Sequence, residues 1–376
     1  MATAPACAQL DGDGYYRVQN VTTGRYISLV DNKSNTEVAT TEPDMGALIS
    51  IMNFENVVDD PSTIIYIEYQ GVNSSSNNYY NLYAQGVDVY SILSYWVYIM
   101  PYTKAGDYYG KYRAWGEAYG SNFYICDNTN TTKEESTVLC NSTNKYWDIL
   151  PVSADSEDNY FAVTPTLNVG DKYYAVLYCS FAYKAASDGL RFYYVSKISG
   201  DRALYSEIEG TVPAGTPVIV ECSSADYSDN RLELVSSADS APTDNLMSGV
   251  YFHSYKSKHV NLTMYDSETM RILGVLSDGS IGFYKADESD FTYTYSAETG
   301  SFPANYVYLN VSSDDSDELA LVDIVSGIKG IAAETTPASR KAGIYTLTGI
   351  KMGECLEDTD LQPGIYIVDG KKTMIR

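Results

Sequence analysis

Apolar and aromatic residues fall in short runs, many of them alternating with polar positions, and clusters of Gly, Asn, Asp and Ser separate the runs. Tyr15-Tyr16-Arg17-Val18, Ile64-Ile65-Tyr66-Ile67-Glu68-Tyr69 and Thr216-Pro217-Val218-Ile219-Val220 are typical. They are rich in β-branched and aromatic side chains, which suit a pleated, half-buried surface. No longer window sustains the 3.6-residue period of an amphipathic helix. The pattern predicts an all-β chain. No apolar run approaches the ~18 residues that would read as a membrane-spanning helix.

The runs repeat. Over residues 10–153, strand openers recur at Tyr16-Arg17-Val18, Tyr66-Ile67-Glu68 and Tyr112-Arg113-Ala114. A second strand follows each, at Gly24–Leu29, Tyr79–Ala84 and Asn122–Cys126, and each unit closes on an apolar run, Leu48–Ile51, Trp96–Ile99 or Trp147–Leu150. Units of this size cannot bury a face alone, and stacked about a pseudo-threefold axis they share one core. That is the arithmetic of a β-trefoil.

The acidic, aperiodic stretch Val152–Asp158 reads as a linker. Residues 159–323 then predict a duplicated β domain, built as a two-sheet sandwich or as paired small β units. In it Phe192–Val195 echoes Phe283–Ala286, and Thr211–Thr216 echoes Ser301–Tyr306. Asp188-Gly189 and Asp278-Gly279 read as tight hairpin turns. Residues 324–342 read as a second linker. Residues 343–376 predict a small β unit in which Gly343–Leu347 recurs as Gly364–Val368, each followed by Gly-x-Lys.

Two of these segments resemble known families. Gly14–Ile27 resembles the opening of ricin-type β-trefoil lectin domains, and most closely the divergent versions in secreted proteins of Bacteroidales-type bacteria. The resemblance implies a trefoil over 10–153 and carbohydrate binding. The family's Gln-x-Trp signature is missing, since no Gln stands two residues before Trp96 or Trp147. Gly364–Lys372 resembles the C-terminal sorting domains of type IX secretion cargo, which implies secretion or surface display. The region 159–323 resembles a β module of Bacteroidales surface proteins that implies no activity. Within residues 1–9, Ala6-Cys7-Ala8 before Gln9 has the small-x-small form of a signal-peptidase site. Together these place the protein outside the cell or on its outer surface.

Charge narrows the function. The chain carries 25 basic and 49 acidic residues, a net −24. A nucleic-acid binder needs a basic stripe, and a membrane-surface protein a polybasic one, so neither is expected as a partner class. At 44% hydrophobic and 20% charged the composition is globular. Tyr is the outlier, with 37 residues against 9 Phe and 3 Trp.

Catalytic signatures are missing from the sequence: no nucleophile elbow, metalloprotease, Walker or Rossmann pattern occurs. His253 and His259 stand six apart and read as a solvated hairpin, and the Cys spacing matches no zinc site, so no metal and no cofactor is expected. Asp11-Gly12-Asp13-Gly14 does not continue into a calcium loop. The acidic runs Asp155–Asp158 and Asp314–Glu318 read as solvated turns. Cys126 and Cys140 flank a polar stretch that a disulfide would close, whereas Cys179 and Cys222 sit in apolar runs and read as buried free thiols.

The aromatic residues are the better lead. A sugar offers C–H faces to a ring and hydroxyls to Asp, Asn or Gln. Tyr108 and Trp115 lie close together in the third unit, and Tyr124 precedes Asp127 and Asn128. Asp31 and Asp127 stand where ricin-type units place their sugar-holding carboxylate. The plainer reading packs the tyrosines into the barrel and leaves the aspartates in turns. Asp239-Ser240-Ala241 fits a Bacteroidales O-glycosylation pattern, with Ser240 as acceptor. The expected function is a non-catalytic secreted or surface protein binding carbohydrate through its N-terminal domain. The alternative is a structural or adhesion protein that contacts other proteins and uses the trefoil as scaffold.

Overall fold

The computed structural model describes residues 10, 12–28, 50–52, 57–76, 78–85, 87–88, 97–118, 121–127, 137–140, 144–251, 263–291, 300–324, 344–346, 351–353, 364–368 and 371–375. The protein is all-β, and among the described residues no helix is long and apolar enough to cross a membrane. Two compact units divide it, Met1–Val322 and Asp323–Arg376.

The first unit opens with β1 (Gly14–Asn20), β2 (Tyr26–Ser28), β3 (Ser50–Met52), β4 (Ile65–Val72), β5 (Asn78–Ala84), β6 (Val87–Asp88), β7 (Val97–Pro101), β8 (Tyr112–Ala118), β9 (Ser121–Asp127), β10 (Thr137–Cys140) and β11 (Trp147–Pro151). Pairings run β1–β4–β5–β7–β8–β11 and return from β11 to β1, closing a ring. Closure removes open sheet edges. Alternation sends Val18, Ile65, Ile67, Leu82, Ile99, Tyr112 and Ile149 inward around Trp147, whose indole Nε1 donates to Ile125 O at 3.0 Å. The ring has the strand number of a trefoil barrel, but the three units are not equivalent. β2 and β9 lie outside the ring as arms with β3 and β10, whereas β5 stands inside it. The cause is the long register between β4 and β5, which runs from Ile65↔Ala84 to Val72↔Asn78 and holds β5 beside β4.

The rest of this unit comprises β12 (Phe161–Ala162), β13 (Leu167–Val169), β14 (Lys172–Leu177), β15 (Ala182–Ala185), β16 (Arg191–Ser199), β17 (Arg202–Ile208), β18 (Thr211–Val212), β19 (Val218–Cys222), β20 (Arg231–Val235), β21 (Met247–Val250), β22 (Met270–Val275), β23 (Ile281–Tyr284), β24 (Tyr306–Asn310) and β25 (Glu318–Asp323). A four-stranded sheet has the order β12-β20-β15-β18, and a ten-stranded sheet the order β13-β14-β19-β16-β17-β25-β23-β22-β24-β21. Both halves therefore feed one continuous sheet around Val195, Ile219, Phe283, Val307, Leu309 and Leu319.

The internal echo is real locally and fails globally. Pro213-Ala214-Gly215 and Pro303-Ala304-Asn305 make the same turn, with φ of 68° at Gly215 and 59° at Asn305. Those are the residue types that tolerate the left-handed region. A buried residue precedes each turn, Val212 or Phe302. Yet β16 pairs with β17 and β19, whereas β23 pairs with β22 and β25. The two Asp-Gly turns differ as well. Asp278-Gly279 lies in the loop of the β22–β23 hairpin, whose last pair is Val275↔Ile281. Asp188-Gly189 instead carries the chain from β15 in one sheet to β16 in the other. No hairpin forms there because β18 and β20 already flank β15.

The stretch read as a linker is a bonded loop. Asn159 Nδ2 donates to Leu150 O and Pro151 O at 3.0 and 2.8 Å. Arg231 Nη1 donates to Ala154 O and Ser156 O at 2.9 and 2.8 Å, and its guanidinium lies 3.8 Å from the centre of the Tyr160 ring. Arg17, fully buried on β1, donates to Thr63 Oγ1, Asn159 Oδ1 and the Tyr160 and Val58 carbonyls. The core beyond the loop carries Cys179 and Cys222 as free thiols. Burial pushes the Cys222 thiol up to about 12 and raises Cys179 as well. A thiol is attacked as its thiolate, so neither should react with iodoacetamide at pH 8 in the native protein, and both should react in urea. Mass-mapped labelling of either one in the folded chain would refute this.

The second unit holds β26 (Ile344–Thr346), β27 (Lys351–Gly353), β28 (Gly364–Val368) and β29 (Lys371–Ile375) in the order β27-β26-β28-β29. The two echoing segments become the central antiparallel pair, Ile344↔Val368 to Thr346↔Tyr366. Each leads into a lysine-initiated outer strand. Residues 1–9, and nearly all of 324–342, lie outside the described residues.

Candidate functional site

The site follows from alternation on one strand. On β8, Tyr112 and Ala114 pack into the barrel core, so Arg113 and Trp115 face outward. Neighbouring strands set aromatic residues at directly opposed positions: Tyr79↔Tyr98, Tyr98↔Trp115 and Trp115↔Tyr124. Tyr79, Tyr98, Trp115 and Tyr124 thus form a row across β5, β7, β8 and β9. At one strand spacing per step it spans roughly 14 Å. Tyr98 and Trp115 stack with centroids 4.6 Å apart, and Tyr79 meets Tyr98 edge-on at 6.4 Å. The Trp115 Nε1–H is spent only on Met100 Sδ, at 3.2 Å, a weak acceptor.

Two cations border the row. The Arg113 guanidinium lies 5.3 Å from the centre of the Tyr102 ring and 5.7 Å from that of Tyr124. Lys145 Nζ sits 4.5 Å from the Tyr124 ring centre. Both are within cation–π range. Beyond Arg113 a second aromatic group forms on the loop 102–111. Tyr108 stacks on Tyr146 at 4.0 Å and 10°, and Tyr102 meets Tyr146 edge-on at 5.1 Å. The loop is fixed by Tyr102 N–H to Lys111 O at 2.6 Å and Gly110 N–H to Tyr102 O at 2.9 Å. The Lys111 ammonium reaches Asp148 at 2.6 Å. Burial, helped by Tyr102, raises the Tyr146 phenol pKa, and Arg113 opposes the rise.

Tyr102 is also one wall of a cleft of about 340 Å³ lined by Leu10, Asn78, Tyr80, Ile99, Pro101, Thr103, Tyr109, Gly110 and Tyr112. Tyr109 stands at its rim, 56% exposed. A small, aromatic cleft with a few polar groups is the usual form of a ligand pocket. Asn78, Tyr80, Ile99 and Tyr112 alternate with Tyr79, Tyr98 and Arg113, so the cleft opens on the opposite side of the sheet from the row, and it is the outer face that offers rings for stacking, hydroxyls and two cations.

The structure sets Trp115 opposite Tyr124 in the row, and it stacks Tyr108 on Tyr146 in the loop group. Asp127 sits apart from these residues. Its side chain is fully buried, gripped by the Arg25 guanidinium and by Thr23 Oγ1 at 2.5 Å. Both carboxylate oxygens are used to fasten the turn after β1 to β9, so none is left to hold sugar hydroxyls. Asp31, Asn128, His253 and His259 lie outside the described residues. Cys126 is disulfide-bonded; Cys140 is placed on the adjacent β10, and its side chain is not among those described. Ser240 is exposed between β20 and β21. Among the described residues no three His, Cys, Asp or Glu side chains converge as a metal site would require. Sequence reasoning missed Tyr98, Tyr102, Arg113 and Tyr146. The run Tyr112-Arg113-Ala114-Trp115 carried the signal, because alternation there puts a cation and an indole on one face.

No family model, curated protein or solved structure matches the chain.

Proposed function

We propose that the protein is a non-catalytic carbohydrate-binding protein, displayed or released outside the cell, that takes a saccharide on the aromatic face of its trefoil-like barrel. The observation that carries this is the row Tyr79–Tyr98–Trp115–Tyr124. Half-buried rings held in line by strand register present flat apolar surface at little entropic cost. That suits the C–H faces of successive sugar units, while the tyrosine hydroxyls suit their polar edges. The surface location is supported by the resemblances of Gly14–Ile27 and Gly364–Lys372. A protein-binding role has less support. Among the described residues the exposed large apolar ones, Tyr69, Val72, Tyr109, Met264 and Val275, fall on several different elements.

The test is a binding screen of the full chain against mucin, plant and microbial glycans, with Trp115→Ala and Tyr98→Ala alongside. Losing a stacked anchor should cost about 2 kcal/mol, or some thirtyfold in Kd. Saccharide binding should also shift tryptophan emission in the native protein and not in Trp115→Phe. A screen without any binder, or variants that bind unchanged, would defeat the proposal.

A further inference from the structure

We infer that the aromatic face selects an acidic saccharide, with Arg113 receiving its carboxylate or sulfate; this rests on the saccharide reading above. Arg113 Nε is buried without a hydrogen-bond partner, and among the described residues no hydrogen bond or ion pair joins the terminal nitrogens to an oxygen. The other described arginines all have oxygen partners. Arg25, Arg191, Arg202 and Arg271 meet carboxylates, while Arg17 and Arg231 meet carbonyls. In a chain of net charge −24, a half-buried arginine that meets no oxygen partner among the described residues is an exception.

The fold keeps it so. Rings flank Arg113 on two sides, Tyr102 and Tyr124, and they support its charge without consuming its N–H donors. Lys145 over the same Tyr124 adds a second positive charge, and among the described residues no carboxylate pairs with it. A buried unsatisfied N–H is costly. A planar or tetrahedral oxyanion arriving along the face would meet the terminal N–H groups of the same guanidinium with charge-assisted bonds. The neighbouring indole and phenols would meanwhile carry the sugar ring that bears the anion. The overall negative charge does not forbid this. At physiological salt the screening length is about 8 Å, so distant carboxylates fade while the contact pair remains.

The experiment is calorimetric titration of the full chain with matched probe pairs. These are trigalacturonate and its methyl ester, sialyllactose and lactose, and a sulfated galactan oligosaccharide and its desulfated form. At least one acidic member should bind about tenfold or more tightly than its neutral partner, and which pair does so distinguishes carboxylate from sulfate. Arg113→Gln should abolish that preference by weakening the acidic member far more than the neutral one. Arg113→Lys should keep part of it, and Trp115→Ala should weaken both members. Equal binding of acidic and neutral members to the unmodified protein overturns the inference and leaves the saccharide reading intact. So does an Arg113→Gln variant that weakens both members alike. Binding of no saccharide at all overturns both.

Discussion

Replacing Arg17 with Ala should cost about 3–5 kcal/mol and lower the melting temperature by on the order of 10 °C. Arg17 has no access to water and spends its guanidinium on three segments at once. Nε donates to Thr63 Oγ1 at 2.9 Å, Nη1 to Asn159 Oδ1 at 3.0 Å and Tyr160 O at 2.7 Å, and Nη2 to Val58 O at 3.4 Å. Burial pulls its pKa down to about 10, against the opposing pull of Asp60, Tyr26 and Asp59. Removing the side chain leaves buried acceptors without donors, and each such orphan costs about 1–3 kcal/mol. It also leaves the buried Asp60, whose carboxyl pKa burial already raises, without its nearest positive charge. The loop 153–158 is tied to the same hub through Asn159, so limited proteolysis should begin there in the variant. Arg17→Lys should rescue little, because one ammonium cannot reproduce a fork reaching Thr63, Asn159 and Val58. A loss below about 1 kcal/mol in urea melts would mean that the junction is held by apolar packing alone.

The all-β character was readable because alternation and turn residues are local. So were the Pro-Ala-Gly and Pro-Ala-Asn turns, and the paired segments of the second unit, whose similarity reflects a shared place at the centre of a sheet. Strand partnership was not readable. Nothing in Asp188-Gly189 separates a hairpin turn from a passage between sheets, since the outcome depends on β18 and β20 having already claimed β15. Position in the ring was equally hidden for β5, whose local pattern matches those of β2 and β9. The site divides the same way. Tyr108, Trp115 and Tyr124 stand out as aromatics in one unit. Asp127 looked available because Arg25, which consumes it, lies far back in the chain, before β2. Arg113 looked like one more surface charge until the register set it between Tyr102 and Tyr124.

Alkaline pH should unfold the protein cooperatively, and the tyrosines set the sign. Burial raises the phenol pKa of Tyr183 well above its ordinary value, raises Tyr193 and Tyr251, and takes Tyr306 up to about 12. In the unfolded chain these groups ionise near pH 10. A folded pKa above the unfolded one means that the unfolded state loses protons first. The stabilisation is therefore complete below about pH 10 and drains away as pH rises toward the folded values, at about 1.4 kcal/mol per unit for each such tyrosine. Several acting together outweigh any single substitution considered above. Phenolate absorbance at 295 nm should therefore appear in two stages, the second coinciding with loss of the β-sheet circular dichroism signal. Tyr183→Phe isolates one contributor. The Tyr183 hydroxyl is buried without a hydrogen-bond partner, so its removal should raise stability at pH 7 by about 1 kcal/mol and move the alkaline transition to higher pH. Complete ionisation of all tyrosines while the sheet signal stayed intact would show that the phenols titrate without unfolding, and would remove burial as the source of their shifts.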